Sequence, residues 1–252
     1  MLFQDLFSGL AKEYSQFRPR YPVKLFQYLA TLTRDHNRAW DVGTGNGQAA
    51  VDLAQHYEEV IATDPSRAQI DKAIPRDRVS YFVGSELQSR LEETSVDLVT
   101  VAQALHWFDR EIFYKEVLRV LKPSGICAAW AYDFNEPIQP DIDEALKEFY
   151  FTTLGPYWAP NNKLIWEGYR TMDFPFEKID APSFLLESKM SLAEFIGFLS
   201  SWSATAQYIE KTKVNPLSAF FEKIQPMWGD PQAVKPLSWK IHLLVGRTPD
   251  AL

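Results

Sequence analysis

Cysteine is almost missing from this chain: Cys127 is the only one in 252 residues, so no intramolecular disulfide can form. It sits in an apolar, strand-like run, where a small buried thiol is the expected reading. Positive charge is also short. Lys and Arg total 26 against 33 Asp and Glu, a net charge of −7. Proteins that grip a nucleic-acid backbone carry a basic footprint, so DNA and RNA are demoted as partners. Histidine is scarce, with four scattered residues that do not make a zinc site with one cysteine. No window approaches the ~18 consecutive apolar residues needed to span a bilayer. The first residues have no basic stretch leading into an apolar one, as a secretory leader would. Repeats and low-complexity tracts are absent. These absences lead us to expect a soluble, cytoplasmic protein in a reducing compartment, working without nucleic acid, membrane or metal as a monomer or homodimer.

What is present suits an α/β enzyme. Apolar residues make up 46% of the chain, enough for one large core. Residues 39–42, 60–63, 79–83, 96–101 and 126–130 read as short strands. Helical patterns lie between several of them, starting at Gln48, near Arg67 after Ser66, and after Asp109. The turn Lys122-Pro123-Ser124-Gly125 is expected to end the last of these helices. This alternation predicts a doubly wound, mostly parallel sheet with helices on both faces. Ligands of such sheets bind at the carboxyl ends of the strands, where strand order reverses.

Beyond residue 135 the pattern changes. Asp141 with Glu144, and Ser191 with Glu194, resemble capping boxes opening amphipathic helices. Trp239, Ile241, Leu243 and Val245 then alternate with Ser238, Lys240, His242 and Leu244, the period of a final strand. The expected organisation is one domain over 1–252. It comprises an N-terminal helical lid (1–30), a ligand-binding core (31–135), an inserted helical cap (136–182) and a C-terminal completion of the sheet (183–252).

The most informative segment is Asp41-Val42-Gly43-Thr44-Gly45-Asn46-Gly47-Gln48. A strand runs into three glycines at alternate positions and a helix follows. Glycine permits a sharp turn and close approach of a ligand, and the helix start offers free N–H groups. The G-x-G-x-x-G spacing of a nicotinamide site would put the third glycine at position 48, which is Gln. No Gly-Lys-Ser/Thr follows, so a phosphate-cradling P-loop is excluded. An acid on the strand, Asp41, suits a ligand with an ammonium and a carboxylate rather than a phosphate. Asp64 ends the second strand, 21 residues beyond Gly43. A carboxylate there can accept hydrogen bonds from both ribose hydroxyls.

The segment from Asp41 to Gln48 resembles motif I of the class I S-adenosylmethionine-dependent methyltransferases, and Asp64 matches their ribose-binding acid. Residues 95–109, ending Gln103-Ala104-Leu105-His106-Trp107-Phe108-Asp109, resemble the fourth-strand motif of their small-molecule branch. Residues 117–125 resemble the helix and turn that follow, and Tyr14-Ser15-Gln16-Phe17-Arg18-Pro19-Arg20-Tyr21-Pro22 resembles the N-terminal signature of the trans-aconitate methyltransferase-like proteins. The resemblance covers about residues 10 to 132 and implies a Rossmann-like methyltransferase fold with a seven-stranded sheet. It implies that Asp41, Gly43, Thr44, Gly45, Gly47, Gln48, Asp64, Pro65, Ser85, Glu86, Gln103, Ala104 and Trp107 hold S-adenosyl-L-methionine, whose product is S-adenosyl-L-homocysteine.

His106 is the candidate catalytic residue, as a general base or substrate partner. The competing reading, that it lines the cofactor site and orients Trp107, is favoured. Tyr14, Arg18, Tyr21 and Tyr132 are the candidate substrate contacts, with the Arg18 guanidinium suited to a carboxylate. Aromatics of the cap, including Tyr157, Trp158, Trp166 and Tyr169, favour a flat or partly apolar small molecule. The expected reaction is O-methylation of an organic acid or related metabolite. A non-catalytic S-adenosylmethionine-binding protein and an NAD-dependent oxidoreductase are the alternatives.

Overall fold

The computed structural model describes residues 18–87 and 89–248. The expected Tyr14 contact and most of the lid lie outside them. Among the described residues the chain runs α1 (Val23–Leu32), β1 (Arg38–Val42), α2 (Gln48–Leu53), β2 (Glu59–Asp64), α3 (Arg67–Ile70), β3 (Val79–Val83) and β4 (Val96–Ala102). A 3-10 turn at Leu105–Trp107 leads to α4 (Arg110–Val120) and β5 (Leu121–Tyr132). Then come α5 (Pro140–Lys147), α6 (Asn162–Trp166), β6 (Glu177–Lys178), β7 (Phe184–Met190), α7 (Leu192–Ser200), α8 (Ser203–Thr212), α9 (Pro216–Trp228) and β8 (Lys235–Arg247).

The strands form one sheet in the order β3-β2-β1-β4-β5-β8, with β6 and β7 both pairing the far side of β8. β1 to β5 are parallel, while β8 is antiparallel to β5, β6 and β7. Seven strands give the expected methyltransferase-like sheet, and β6 adds a two-residue eighth. Strand order reverses between β1 and β4, so their carboxyl ends flank a crevice.

Alternating residues of one strand face opposite sides of the sheet, and two cores result. Ile126, Ala128 and Trp130 of β5 join Trp239, Ile241 and Val245 of β8 in one core. Cys127, Ala129 and Ala131 join Val117 and Val120 of α4 in the other. Cys127 is a buried free thiol within this second core. α1 packs Leu25, Phe26 and Leu29 into the first core. The described end of the expected lid is therefore a sheet-covering helix.

Local signals fare unevenly. Ser66, Asp109 and Ser191 cap their helices as read, and Ser191 with Glu194 completes a capping box. Asp141 and Glu144 do not: α5 starts from Gln139 with Pro140 at its first position, and Asp143 accepts from the Ile138 N–H instead. The turn expected at 122–125 is absorbed into β5, whose register against β4 shifts between Val96 and Leu98. His36 and His56 lie in connections between elements. Helices α8 and α9 form, with α7, a second helical insertion between β7 and β8, and Asn215 followed by Pro216 caps α9.

Candidate active site

The glycine loop fills the β1 side of the crevice. Gly43, Gly45 and Gly47 all have φ in the left-handed region, at 68°, 57° and 89°. Their surroundings differ. A Cβ on Gly43 would lie 2.6 Å from the Ala104 Cβ, and one on Gly47 would lie 2.2 Å from the Tyr81 hydroxyl oxygen. A Cβ on Gly45 would meet nothing closer than Gln69 Oε1 at 4.0 Å. Two glycines therefore let protein close on protein, while the middle one leaves backbone open to a ligand. Gln48 starts α2 directly behind them.

Two acids organise this loop. Asp41 is fully buried and accepts from the Thr44 hydroxyl at 2.5 Å and the Thr100 hydroxyl at 2.7 Å. Burial, against these two bonds, pushes its carboxyl up to about 6. Asp41 and Thr44 thus form a brace under the loop rather than an exposed ligand pair. Asp64 ends β2, accepting from the Gly45 N–H at 2.9 Å and the Ser66 N–H at 2.8 Å. Its carboxylate is held beside the one open glycine, and Pro65 follows it. Ser85 and Glu86 are half-buried just after β3. Three left-handed glycines, an open Gly45 and a carboxylate fixed beside it suit a nucleoside with an amino-acid tail, so the residues present fit S-adenosylmethionine.

The β4 side carries the second half of the site. Gln103 has φ 55°, a left-handed value for a residue with a side chain. Its N–H donates to Trp130 O and its Nε2 to Tyr132 O, tying β4 to β5. Ala104 closes on Gly43. Just beyond lies a chamber of about 80 Å³ lined by Gln103, His106, Trp107, Tyr132, Asp133 and Tyr150, with Arg18, Trp158, Asn162, Ile165, Trp202 and Ser203 completing it.

His106 is buried, with Nδ1 3.0 Å from the Tyr169 hydroxyl and its carbonyl accepting from Asn161 Nδ2. Burial pushes its imidazole down to about 3. The ring stays neutral at physiological pH, and its basicity is low. Arg18 lines the chamber, but its donors go to Ser201 Oγ, Ser201 O and the Tyr132 hydroxyl. It also lies 5.4 Å from the Phe198 ring centre. Arg18 clamps the α7–α8 junction to the end of β5 while still lining the chamber. Tyr132 lines the chamber. Tyr21 does not: it is buried, its ring packing edge-on against Trp130 at 5.5 Å.

Several chamber residues escaped sequence reasoning. Asp133 follows Tyr132 at the carboxyl end of β5, so the strand-end rule could have found it. Tyr150 donates to Asp133 Oδ1 at 2.5 Å and accepts from Trp166 Nε1 at 2.8 Å. Burial holds the Asp133 carboxyl above its ordinary value. Asn162, Trp202 and Ser203 come from helices with no sequence mark of chemistry. Gln103 Oε1 and Asn162 Oδ1 are buried without a hydrogen-bond donor, each costing about 1–3 kcal/mol.

Comparison with known proteins agrees with this architecture. Residues 40–129 match the family model described as a methyltransferase domain. A Dictyostelium discoideum protein named as a methyltransferase is 36% identical over 211 residues, spanning 82% of this chain and 80% of that one. A Saccharomyces cerevisiae protein named as S-adenosylmethionine-dependent is 31% identical over 150 residues, 54% of this chain and 50% of its own. A solved structure from Anaeromyxobacter dehalogenans, described as a type II methyltransferase, superimposes with a TM-score of 0.85 at 35% identity. It covers 92% of this chain and 99% of its own.

Proposed function

Because the chain belongs to the class I S-adenosylmethionine-dependent methyltransferases, we propose that it transfers a methyl group to a small molecule held in the chamber beyond Gln103, with oxygen as the accepting atom. One observation carries the reading. Ala104 abuts the glycine loop, and the residues on either side of it, Gln103 and His106, line an aromatic-walled chamber. Cofactor loop and acceptor chamber thus share one wall.

In this reading Gly45 and Asp64 hold the amino-acid tail and the ribose, and Pro65, Ser85 and Glu86 border the adenosine. Gln48 faces the tail from the start of α2, and Trp107 separates cofactor from acceptor. When bound, S-adenosylmethionine supplies an electrophilic methyl group on a sulfonium. The chain supplies alignment, which can be worth roughly 7–11 kcal/mol of the barrier. Its Trp107, Trp158 and Trp202 walls exclude water where charge is lost. The insertions at 136–182 and 192–228 act together as the cap. Arg18, expected to grip an organic acid, also holds Ser201 and Tyr132.

Calorimetric titration with S-adenosylhomocysteine tests the cofactor half. Micromolar binding is expected, reduced at least tenfold by Asp64→Ala. Absence of binding by folded wild-type protein would refute it. Incubating cell extract with methyl-labelled cofactor tests the acceptor half, with label expected in the small-molecule fraction and not in protein or RNA.

A further inference from the structure

Asp133 is the one carboxylate among the described residues that line the chamber. The single cation of the wall, Arg18, is engaged with Ser201 and Tyr132. Asp133 is fixed in orientation by the chain Trp166–Tyr150–Asp133, each member hydrogen-bonded to the next. Around it stand Trp107, Tyr132, Trp158 and Trp202. A wall of this kind suits a flat molecule that brings an O–H to Asp133.

We infer that the acceptor substrate is an aromatic hydroxyl compound, and that Asp133 receives its hydroxyl hydrogen bond and then its proton. The inference rests on the methyltransferase reading above. The step balances simply. The substrate oxygen forms a bond to the methyl carbon as the carbon–sulfur bond breaks, with that electron pair going to sulfur. The hydroxyl proton passes to a carboxylate oxygen of Asp133 and leaves for solvent with the product. His106 is the weaker candidate for this proton, since burial depresses the imidazole and raises the carboxyl. Tyr150 is a positioning residue that acts through Asp133.

The test uses full-length protein saturated with S-adenosylhomocysteine and three probes of one size: phenol, benzoate and benzylamine, titrated by calorimetry. Phenol is expected to bind at least tenfold more tightly than either of the others. Asp133→Asn is expected to weaken phenol at least tenfold and to strengthen benzoate. With S-adenosylmethionine, anisole formation should fall at least a hundredfold in Asp133→Asn, within the range general-base catalysis supplies. His106→Asn should lower it less. Tighter binding of benzoate or benzylamine to the wild type overturns the inference, as does phenol binding that Asp133→Asn leaves unchanged. S-adenosylhomocysteine affinity is measured in the same variants. Unchanged affinity shows that Asp133→Asn is folded, whereas no affinity in the wild type overturns the underlying methyltransferase reading and this inference with it.

Discussion

Substituting Gly43 by Ala probes the contact on which the shared wall depends. Two costs are expected. At φ 68° an L residue pays about 1–2 kcal/mol for the left-handed conformation. The new Cβ would also sit 2.6 Å from the Ala104 Cβ and 3.2 Å from the Phe108 ring. Forcing a methyl into packed surroundings costs about 1–3 kcal/mol, so the total should be about 2–5 kcal/mol. Ala104→Gly removes the nearer clash but not the backbone strain. In a double-mutant cycle the pair should therefore be less destabilised than the sum of the singles, by about 1–3 kcal/mol. Urea unfolding reads this as midpoint shifts at constant slope. S-adenosylhomocysteine affinity should fall in Gly43→Ala and partly recover in the double variant. Additivity within about 0.5 kcal/mol would mean that the two residues do not meet, and the argument for a shared wall would fail.

The pH behaviour of two buried groups follows from their surroundings. The Asp41 carboxyl is raised from its ordinary 3.8 to about 6, so the folded state holds this proton more tightly than the unfolded state. Its contribution to stability is full below about pH 4 and is lost as pH rises through 6, roughly 3 kcal/mol in all at 1.36 kcal/mol per pH unit. Asp41→Asn should remove that slope from denaturation curves between pH 4 and 7, and an unchanged slope would show that Asp41 does not carry it. His106 is lowered to about 3, so its ring resonances should not titrate between pH 5 and 8 by NMR. A midpoint near 6.5 would contradict its burial. Arg18→Ala removes the clamp on Ser201 and Tyr132 and should cost about 2 kcal/mol of stability, read by thermal unfolding. Acceptor carboxylate affinity should not change, whereas its loss would restore Arg18 as an anion anchor.

The sequence alone carried the glycine-loop side of the crevice. The parallel strands, the left-handed glycine loop, Asp64 at the end of β2 and the caps at Ser66, Asp109 and Ser191 are local features. Each is set by a few neighbouring residues through backbone conformation and hydrogen bonding over short separations, so each leaves a readable pattern. The chamber was decided by tertiary structure. Asp133, Tyr150, Asn162 and Trp202 lie on different elements, and nothing in their own neighbourhoods marks them as companions. They meet because β8 pairs with β5 and folds the insertions at 136–182 and 192–228 over the strand ends. The same assembly tied Arg18 to Ser201 and Tyr132, and placed Tyr21 in the core beside Trp130. It also showed which glycine faces open space: φ favours glycine at all three positions, and Ala104 and Tyr81 close on Gly43 and Gly47 but not on Gly45. Sequence pattern records what a segment must do for itself, whereas long-range packing decides which side chains share a chamber and which of their hydrogen bonds remain for a substrate.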